Sequence, residues 1–521
     1  MIDWWRALDA NAMLAIKTGV AIVASLVLVA GAILGWRGRA HVLVRTRNVM
    51  LAGVGVASAC CYVNLFHFHF DDYLHEWDFF HYYVGAKYLP ELGYTHLYEC
   101  TVVAESELED KLAAGRTIRN LETNDLEPVT AIVADPARCT TRFSPERWRD
   151  FTEDVDYFRS WFRPHTWTFE VLHDHGFNGT PVWALLGRPL ASVAPASHGT
   201  LWWLSLIDPL LLVVLWGAIA WTFGWRVACV GMVWFGTSYP TQFYWTGGAF
   251  LRMDWLVLAV VGICLVKRGK PFAGGFALAY SALLRVFPAF LIVALLLVHV
   301  ARWVRARRVT IDRQLRRFVL GGIAATALLV PAALIVSGGA DTAGEFVANS
   351  RKHLDTPLTN NMGWKTIVSY DRESRVLAAY DPASLDAFGR WKAARREVFD
   401  GRRWLYYTVL VAFTALLVWV AMPAPDWAVL ALGAGLIPFA AELTCYYYSF
   451  LLVFAMLWPR RPLIGVGLCV TAAASCVIPR LAPWDDARYY DISCYVLIFV
   501  VAALIFDRCA RLGVVTRNRP T

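Results

Sequence analysis

The chain is poor in charge. Asp, Glu, Lys and Arg make up 17% of its 521 residues, against 58% hydrophobic residues, and its mean hydropathy is +0.45. That balance is too apolar for an ordinary soluble protein of this size. The signature loops of nucleotide chemistry are also missing: no Walker loop, no Gly-x-Gly-x-x-Gly opening a helix and no Gly-x-Ser-x-Gly elbow occurs. These absences argue against a soluble ATP or nucleotide-sugar domain. With no short-period repeat and no low-complexity tract, residues 1–521 read as a single membrane domain with insertions.

The apolar excess must face lipid. Runs of roughly 18 or more apolar residues, each long enough to cross ~30 Å of hydrocarbon, recur along the chain. They fall at 13–36, 48–70, 202–224, 227–246, 250–266, 272–300, 316–337, 404–422, 427–458, 463–479 and 492–507. The expected fold is therefore all-α, a polytopic transmembrane bundle of about 11–13 spans. The 272–300 and 427–458 runs carry Arg285 and Glu442 near their middles, so each can be two short helices. The first run is too long for a signal h-region, and an Arg-rich segment follows it where a cleavage site would stand.

Orientation follows from Lys and Arg near span ends. Arg37, Arg39, Arg45, Arg47, Lys267, Arg268, Lys270, the 302–317 cluster, Arg460, Arg461 and the 508–519 tail all belong inside. These anchors account for the net charge of +8 without any nucleic-acid partner. Two long polar stretches, 71–200 and 338–403, then face outward, and juxtamembrane helices are expected in them. A full crossing at 181–196 would invert every later basic loop, so a re-entrant or interfacial segment is expected there. The location is a multi-pass place in the cell's inner or plasma membrane.

Of the 11 cysteines, only Cys100 and Cys139 fall in the outward loops. A disulfide between them would close a loop of about 40 residues; two free thiols are the alternative. In the first outward loop, 102–114 has helical spacing, 118–142 looks irregular, and Ser144-Pro145-Glu146 resembles a helix start. In the second, 360–364 reads as a turn and 383–403 as a charged helix.

Three constellations could carry chemistry. The first is Asp71-Asp72-Tyr73-Leu74-His75-Glu76-Trp77-Asp78-Phe79-Phe80-His81-Tyr82-Tyr83, where the second span leaves the membrane. A carboxylate partly desolvated among aromatic rings can act as a base towards a sugar hydroxyl; the plain alternative is an interfacial aromatic belt. The second is Arg252, Asp254 and Arg285 within apolar runs. Charges there cost at least ~2.5 kcal/mol each, so they face a cavity or a partner. An intramembrane Arg suits a lipid phosphate, although a structural Arg252–Asp254 pair or a snorkelling Arg285 is the alternative. The third is His67, His69, His75, His81 and His96 with nearby acids. These residue types bind divalent metals, but no tight spacing such as His-Glu-x-x-His marks a site, and neither metal nor cofactor is expected.

The order of these motifs resembles the GT-C superfamily of polyprenyl-phosphate-sugar-dependent glycosyltransferases, particularly glycosyltransferase family 87. The resemblance is carried by Asp78-Phe79-Phe80-His81-Tyr82-Tyr83, Gly93-Tyr94-Thr95-His96-Leu97-Tyr98, Phe177-Asn178-Gly179-Thr180-Pro181 with Arg188-Pro189-Leu190-Ala191, and Ala273-Gly274-Gly275 with Leu284-Arg285-Val286-Phe287-Pro288. It covers 48–300 and rests on hydropathy thereafter. It departs at the family's Gly-Gln element, where Gly248 is followed by Ala249, and in the length of the first outward loop.

The resemblance implies a transferase moving mannose or another hexose or pentose from a polyprenyl-phosphate donor to a lipid or glycan acceptor. Asp78 would be the catalytic base, and Arg285 and Arg252 would bind the donor phosphate. Trp77, His81, Tyr82, Tyr83 and Asp254 would contact substrate. The rival class is a transporter or flippase with Arg252, Asp254, Arg285 and Glu442 along its path.

Overall fold

The computed structural model describes residue 5 and residues 8–70, 72–108, 115–482 and 485–511. Helices dominate. Among the described residues the only strands are two short antiparallel pairs, Thr117–Arg119 with Leu126–Pro128 and Asn361–Met362 with Leu443–Thr444. Among the described residues, seven helices are long and apolar enough to cross a membrane alone: Ala10–Trp36, His198–Phe223, Ala289–Ala306, Arg313–Ser337, Gly389–Ala421, Pro462–Leu481 and Asp486–Cys509. They leave apolar side chains such as Leu210, Val213 and Ile335 bare on the outside, a surface suited to lipid as solvent.

The other apolar runs are not single long helices, which reduces the expected tally of about 11–13 independent spans. The 227–246 and 250–266 runs contain the shorter helices Trp225–Thr237 and Asp254–Lys267, and the 48–70 run gives Val44–Tyr62, a 19-residue helix that is less apolar because its first turn carries Arg45 and Arg47. The 272–300 run breaks into Pro271–Leu284 and Ala289–Ala306 around an extended Arg285, because Pro288 cannot donate to the turn before it and clashes there. The 427–458 run breaks at Glu442 into Asp426–Ala440 and a 3₁₀ helix, Cys445–Arg460. At ~2.0 Å rise per residue, that 3₁₀ helix covers ~30 Å with fewer residues than an α-helix needs.

Both broken runs fold back as hairpins whose ends return to the same side. His299 and Arg302 meet Asp426 at 3.1 and 3.0 Å. Lys267 and Arg460 sit 4.6 and 5.5 Å from the Trp427 ring, and Arg461 binds Asp507 at 2.9 Å. Basic segments far apart in sequence thus converge on one end, as expected of a cytoplasmic face. The hairpin tips meet elsewhere, with Phe287 and Tyr447 rings 5.0 Å apart. Close helix packing relies on small residues: a side chain at Gly275 would strike the Phe318 backbone, and one at Gly321 the Phe272 backbone.

Pro181–Ala191 is 11 residues long, ~16 Å of helix, which is too short to cross. A segment of this length does not invert the orientation expected of the later basic loops. Around it the outward stretches fold into one body. Ser144 caps Pro145–Trp161 by accepting from the Arg147 N–H, and Asp154 on that helix binds Lys87 at 2.7 Å. Cys100 and Cys139 are bonded, with Cα atoms 5.3 Å apart. The stretch read as irregular instead holds the 117–128 hairpin. Its turn is organised by the Asn120 side chain, which accepts from the Glu122 and Thr123 N–H groups, a signal weaker than Gly or Pro.

The second outward stretch docks on the first: Asn124 donates to Thr356 Oγ1 at 3.0 Å, and the Tyr94 N–H donates to Glu345 at 3.0 Å. Its charged segment runs without a break into the membrane as the 33-residue helix Gly389–Ala421.

Both Glu146 and Ser384 are exposed. Cysteine placed at either should react with an impermeant maleimide in intact cells, and cysteine at exposed Arg308 only after permeabilisation. The reverse pattern would overturn the orientation.

Candidate functional site

Three stretches of broken backbone meet above the membrane-spanning helices: 247–253, Arg285 at its hairpin tip, and the 440–446 tip. The first is clamped from the exit of the second apolar helix. His69 bonds the Gly247 carbonyl at 2.9 Å, and the His75 N–H donates to the Gly248 carbonyl at 3.2 Å. Gly248 has φ +72° and lies so close to the Tyr73 carbonyl that no Cβ fits. From below, the Asp208 carboxylate accepts from the Arg252 N–H at 2.9 Å and the Met253 N–H at 3.1 Å. An irregular loop at this depth needs such partners for its donors.

Asp78 lies on the one-turn helix Glu76–Phe79. The His75 Nδ1 accepts from the Asp78 N–H at 3.2 Å, so Nε2 carries the proton and donates to the Tyr244 carbonyl at 3.1 Å. Burial, aided by Arg252, pushes the His75 imidazole below its ordinary value, which suits that neutral tautomer. A π-helical turn, Phe80–Val84, follows, and Tyr82 and Tyr83 bind in different places. Tyr82 donates to Asn178 and lies beneath Arg252, whose guanidinium is 4.2 Å from the ring centroid. Tyr83 donates to the Ala194 carbonyl at 2.5 Å.

The centre of the site is an ion pair, Arg252 Nε to Asp78 Oδ2 at 3.1 Å, with Asp78 retaining 14% side-chain exposure. Arg285 approaches the same tyrosine, 5.6 Å from the ring and 3.4 Å from its hydroxyl. Both arginines are buried. Arg252 Nη1 and Arg285 Nε have no hydrogen-bond partner among the described residues. Asp254 is spent locally, accepting from the Trp255 N–H at 2.7 Å. Asp254 lies near both arginines without an ion pair to either, and Asp78 alone pairs with Arg252 among the described residues; a buried guanidinium left short of partners is costly.

Above them opens a cavity of about 970 Å³ lined by Asp78, Arg252, His75, Trp77 and Tyr446, with both outward loops as walls. Among the residues singled out in the sequence, Asp78, Trp77, Arg252, Asp72, His69 and His75 line it, while Arg285 and Tyr82 stand outside the lining, Tyr82 with its ring against both arginines. His81 does not line it: it is buried between the Trp77 carbonyl at 2.7 Å and the Tyr98 hydroxyl at 2.6 Å. Tyr83 and Asp254 are also absent from the lining. Asp71 lies outside the described residues.

Glu442 is held away from the cavity by Arg395 at 2.7 Å and Lys365 at 3.2 Å. Sequence reasoning missed Asp208, although an acid inside an apolar run is itself a signal. It also missed Tyr446, hidden in a tyrosine run, and Arg119, Asp174 and Lys392 on the cavity wall, which no motif marks. No protein-family model, no curated protein and no solved structure matches the chain.

Two substitutions test how the site is held. Asp208→Ala orphans two buried N–H groups, at roughly 1–3 kcal/mol each, and Glu442→Ala leaves buried Arg395 short of its carboxylate, at about 3–5 kcal/mol. Each should lower the melting temperature of the purified protein. Unchanged melting in either would contradict the corresponding role.

Proposed function

We propose that the protein is a membrane glycosyltransferase that takes a sugar from a polyprenyl-phosphate donor and passes it to an acceptor hydroxyl at the outward cavity. The observation that carries this reading is the Asp78–Arg252 pair on the cavity floor, with the under-partnered Arg285 on the other contact of Tyr82. A base facing an open cavity above two buried guanidinium groups suits a sugar held over a lipid phosphate. The resemblance to family 87 of the GT-C superfamily points the same way.

In the proposed step the acceptor oxygen attacks the anomeric carbon as Asp78 takes its proton. The bond from that carbon to the phosphate oxygen breaks, and the electron pair leaves with the polyprenyl phosphate. Inversion follows from attack on the face opposite the phosphate. Arg252 holds Asp78 in line, and its free Nη1 and the Nε of Arg285 meet the leaving charge. Trp77, fixed by donating to Asp174 at 2.6 Å, offers a ring to the sugar. In the rival transport reading, Glu442 would share a path with Arg252 and Arg285, yet its partners are Arg395 and Lys365.

The roles separate kinetically. Asp78→Asn should cut turnover by ~10²-fold or more with donor binding nearly intact, whereas Arg285→Ala should weaken donor binding and turnover together. A folded Asp78→Asn protein that transfers sugar near the wild-type rate would overturn the assignment.

A further inference from the structure

The cavity has a second charged region that the proposed transfer step leaves unused. Arg119, at the end of the Thr117–Arg119 strand, lines the cavity and is only 6% exposed. Its Nε donates to the His173 carbonyl at 2.8 Å and its Nη1 to the Asn124 carbonyl at 2.7 Å. No carboxylate forms an ion pair with it among the described residues. The acids around it are engaged: Asp386 holds Lys392 at 2.8 Å, and Asp174 holds the Trp77 indole. His173, His175 and Lys392 line the cavity too, together with Phe388 and Trp161.

The neighbours register the excess of positive charge. Burial and then the charge of Arg119 push Lys352 down to about 8, and burial pushes His173 and His175 below their ordinary range, with Arg119 adding to it against the opposing pulls of the Thr117 carbonyl and Asp174. A buried arginine held only by carbonyls, with a lysine and rings beside it, is built like a carbohydrate subsite that also binds an acid. Guanidinium takes carboxylate or phosphate in a two-pronged contact, and indole and phenyl faces stack on sugars.

We infer that the loop-built wall of the cavity is an acceptor subsite for an acidic glycan, with Arg119 receiving a uronate carboxylate or a sugar phosphate and Lys392 supporting it. The inference rests on the transferase reading for calling the ligand an acceptor, but the binding it requires does not depend on transfer. The acid would anchor the glycan at the wall while a hydroxyl further along the chain reaches towards Asp78. That arrangement also gives the long first outward loop a task, because Arg119, His173 and His175 all belong to it.

The test is binding without donor. The full-length protein in nanodiscs is titrated with a uronic-acid disaccharide, a phosphorylated disaccharide and a neutral disaccharide of the same length, with tryptophan fluorescence as the readout. At least one acidic probe should bind about tenfold or more tightly than the neutral one at low salt, and the gap should narrow as salt rises. Which acidic probe binds more tightly identifies the carboxylate or the phosphate as the group recognised.

Arg119→Gln should bring the ratio close to one, and Arg119→Lys should keep part of it. If Arg119 is only a clip between the hairpin and the 173–175 segment, Arg119→Gln lowers the melting temperature and leaves the ratio unchanged, which overturns the subsite. Should Arg119→Gln fail to fold, Lys392→Gln carries the test, and an unaltered ratio there overturns it as well. In a parallel assay with a polyprenyl-phosphate sugar added, acid-selective binding lost in Arg119→Gln together with no sugar transferred to any probe would leave the subsite standing and the transferase reading failed. Transfer to neutral and acidic glycans alike would do the opposite.

Discussion

A guanidinium group keeps its proton in any protein environment, so a buried arginine must be answered by geometry. Arg252 is that constraint here. Its charge meets Asp78 at 3.1 Å, and its face rests on Tyr82. Its backbone stays irregular because Asp208 and the His69–His75 segment supply partners for the loop on either side of it. Remove the arginine and the loop at 247–253, the pairing of Asp78 and the stacking of Tyr82 lose their common point. Arg285 reaches the same tyrosine from a different hairpin, which links the loop to the break in the 272–300 run.

The breaks in the helices follow from the same economy. A continuous α-helix through 285 or 442 would satisfy its backbone but carry a charged side chain into lipid, at a cost of at least ~2.5 kcal/mol. Folding each run into a hairpin moves the charge to a tip, where protein surrounds it. At one tip Glu442 finds two cations and becomes structural. At the other, Arg285 finds a tyrosine hydroxyl and, among the described residues, no carboxylate within ion-pair distance, Asp254 acting on it only from further away. Similar local architecture thus produces one satisfied charge and one unsatisfied charge, and only the second lies beneath the cavity.

How far these features were legible varies with the range of the interactions that make them. Hydropathy located the apolar runs, and the basic residues at their ends predicted the convergence at Trp427, because both depend on local composition. Ser144 as a cap was readable for a similar reason, whereas the bridge of Cys100 to Cys139 stood level with two free thiols until the fold brought residues 39 apart together. The number of independent spans was not, since a run of apolar letters does not reveal whether the chain crosses or turns back. His81 and Tyr83 share the aromatic run of Asp78, yet a π-turn and partners from distant segments, Tyr98 and Ala194, take them elsewhere. Arg119 and Lys392 became neighbours of the site only because a hairpin whose turn, 120–125, carries neither Gly nor Pro docks on the second outward stretch.

In the proposed mechanism Arg252 and Arg285 together form the seat of a lipid phosphate. The most direct measurement is a cryo-electron microscopy structure of the protein in nanodiscs saturated with polyprenyl phosphate. The account predicts phosphate oxygens within hydrogen-bond reach, ~2.7–3.2 Å, of Arg252 Nη1 and Arg285 Nε, with the carboxylate of Asp78 still facing the cavity. A phosphate bound at another place, with both guanidinium groups unchanged, would contradict it.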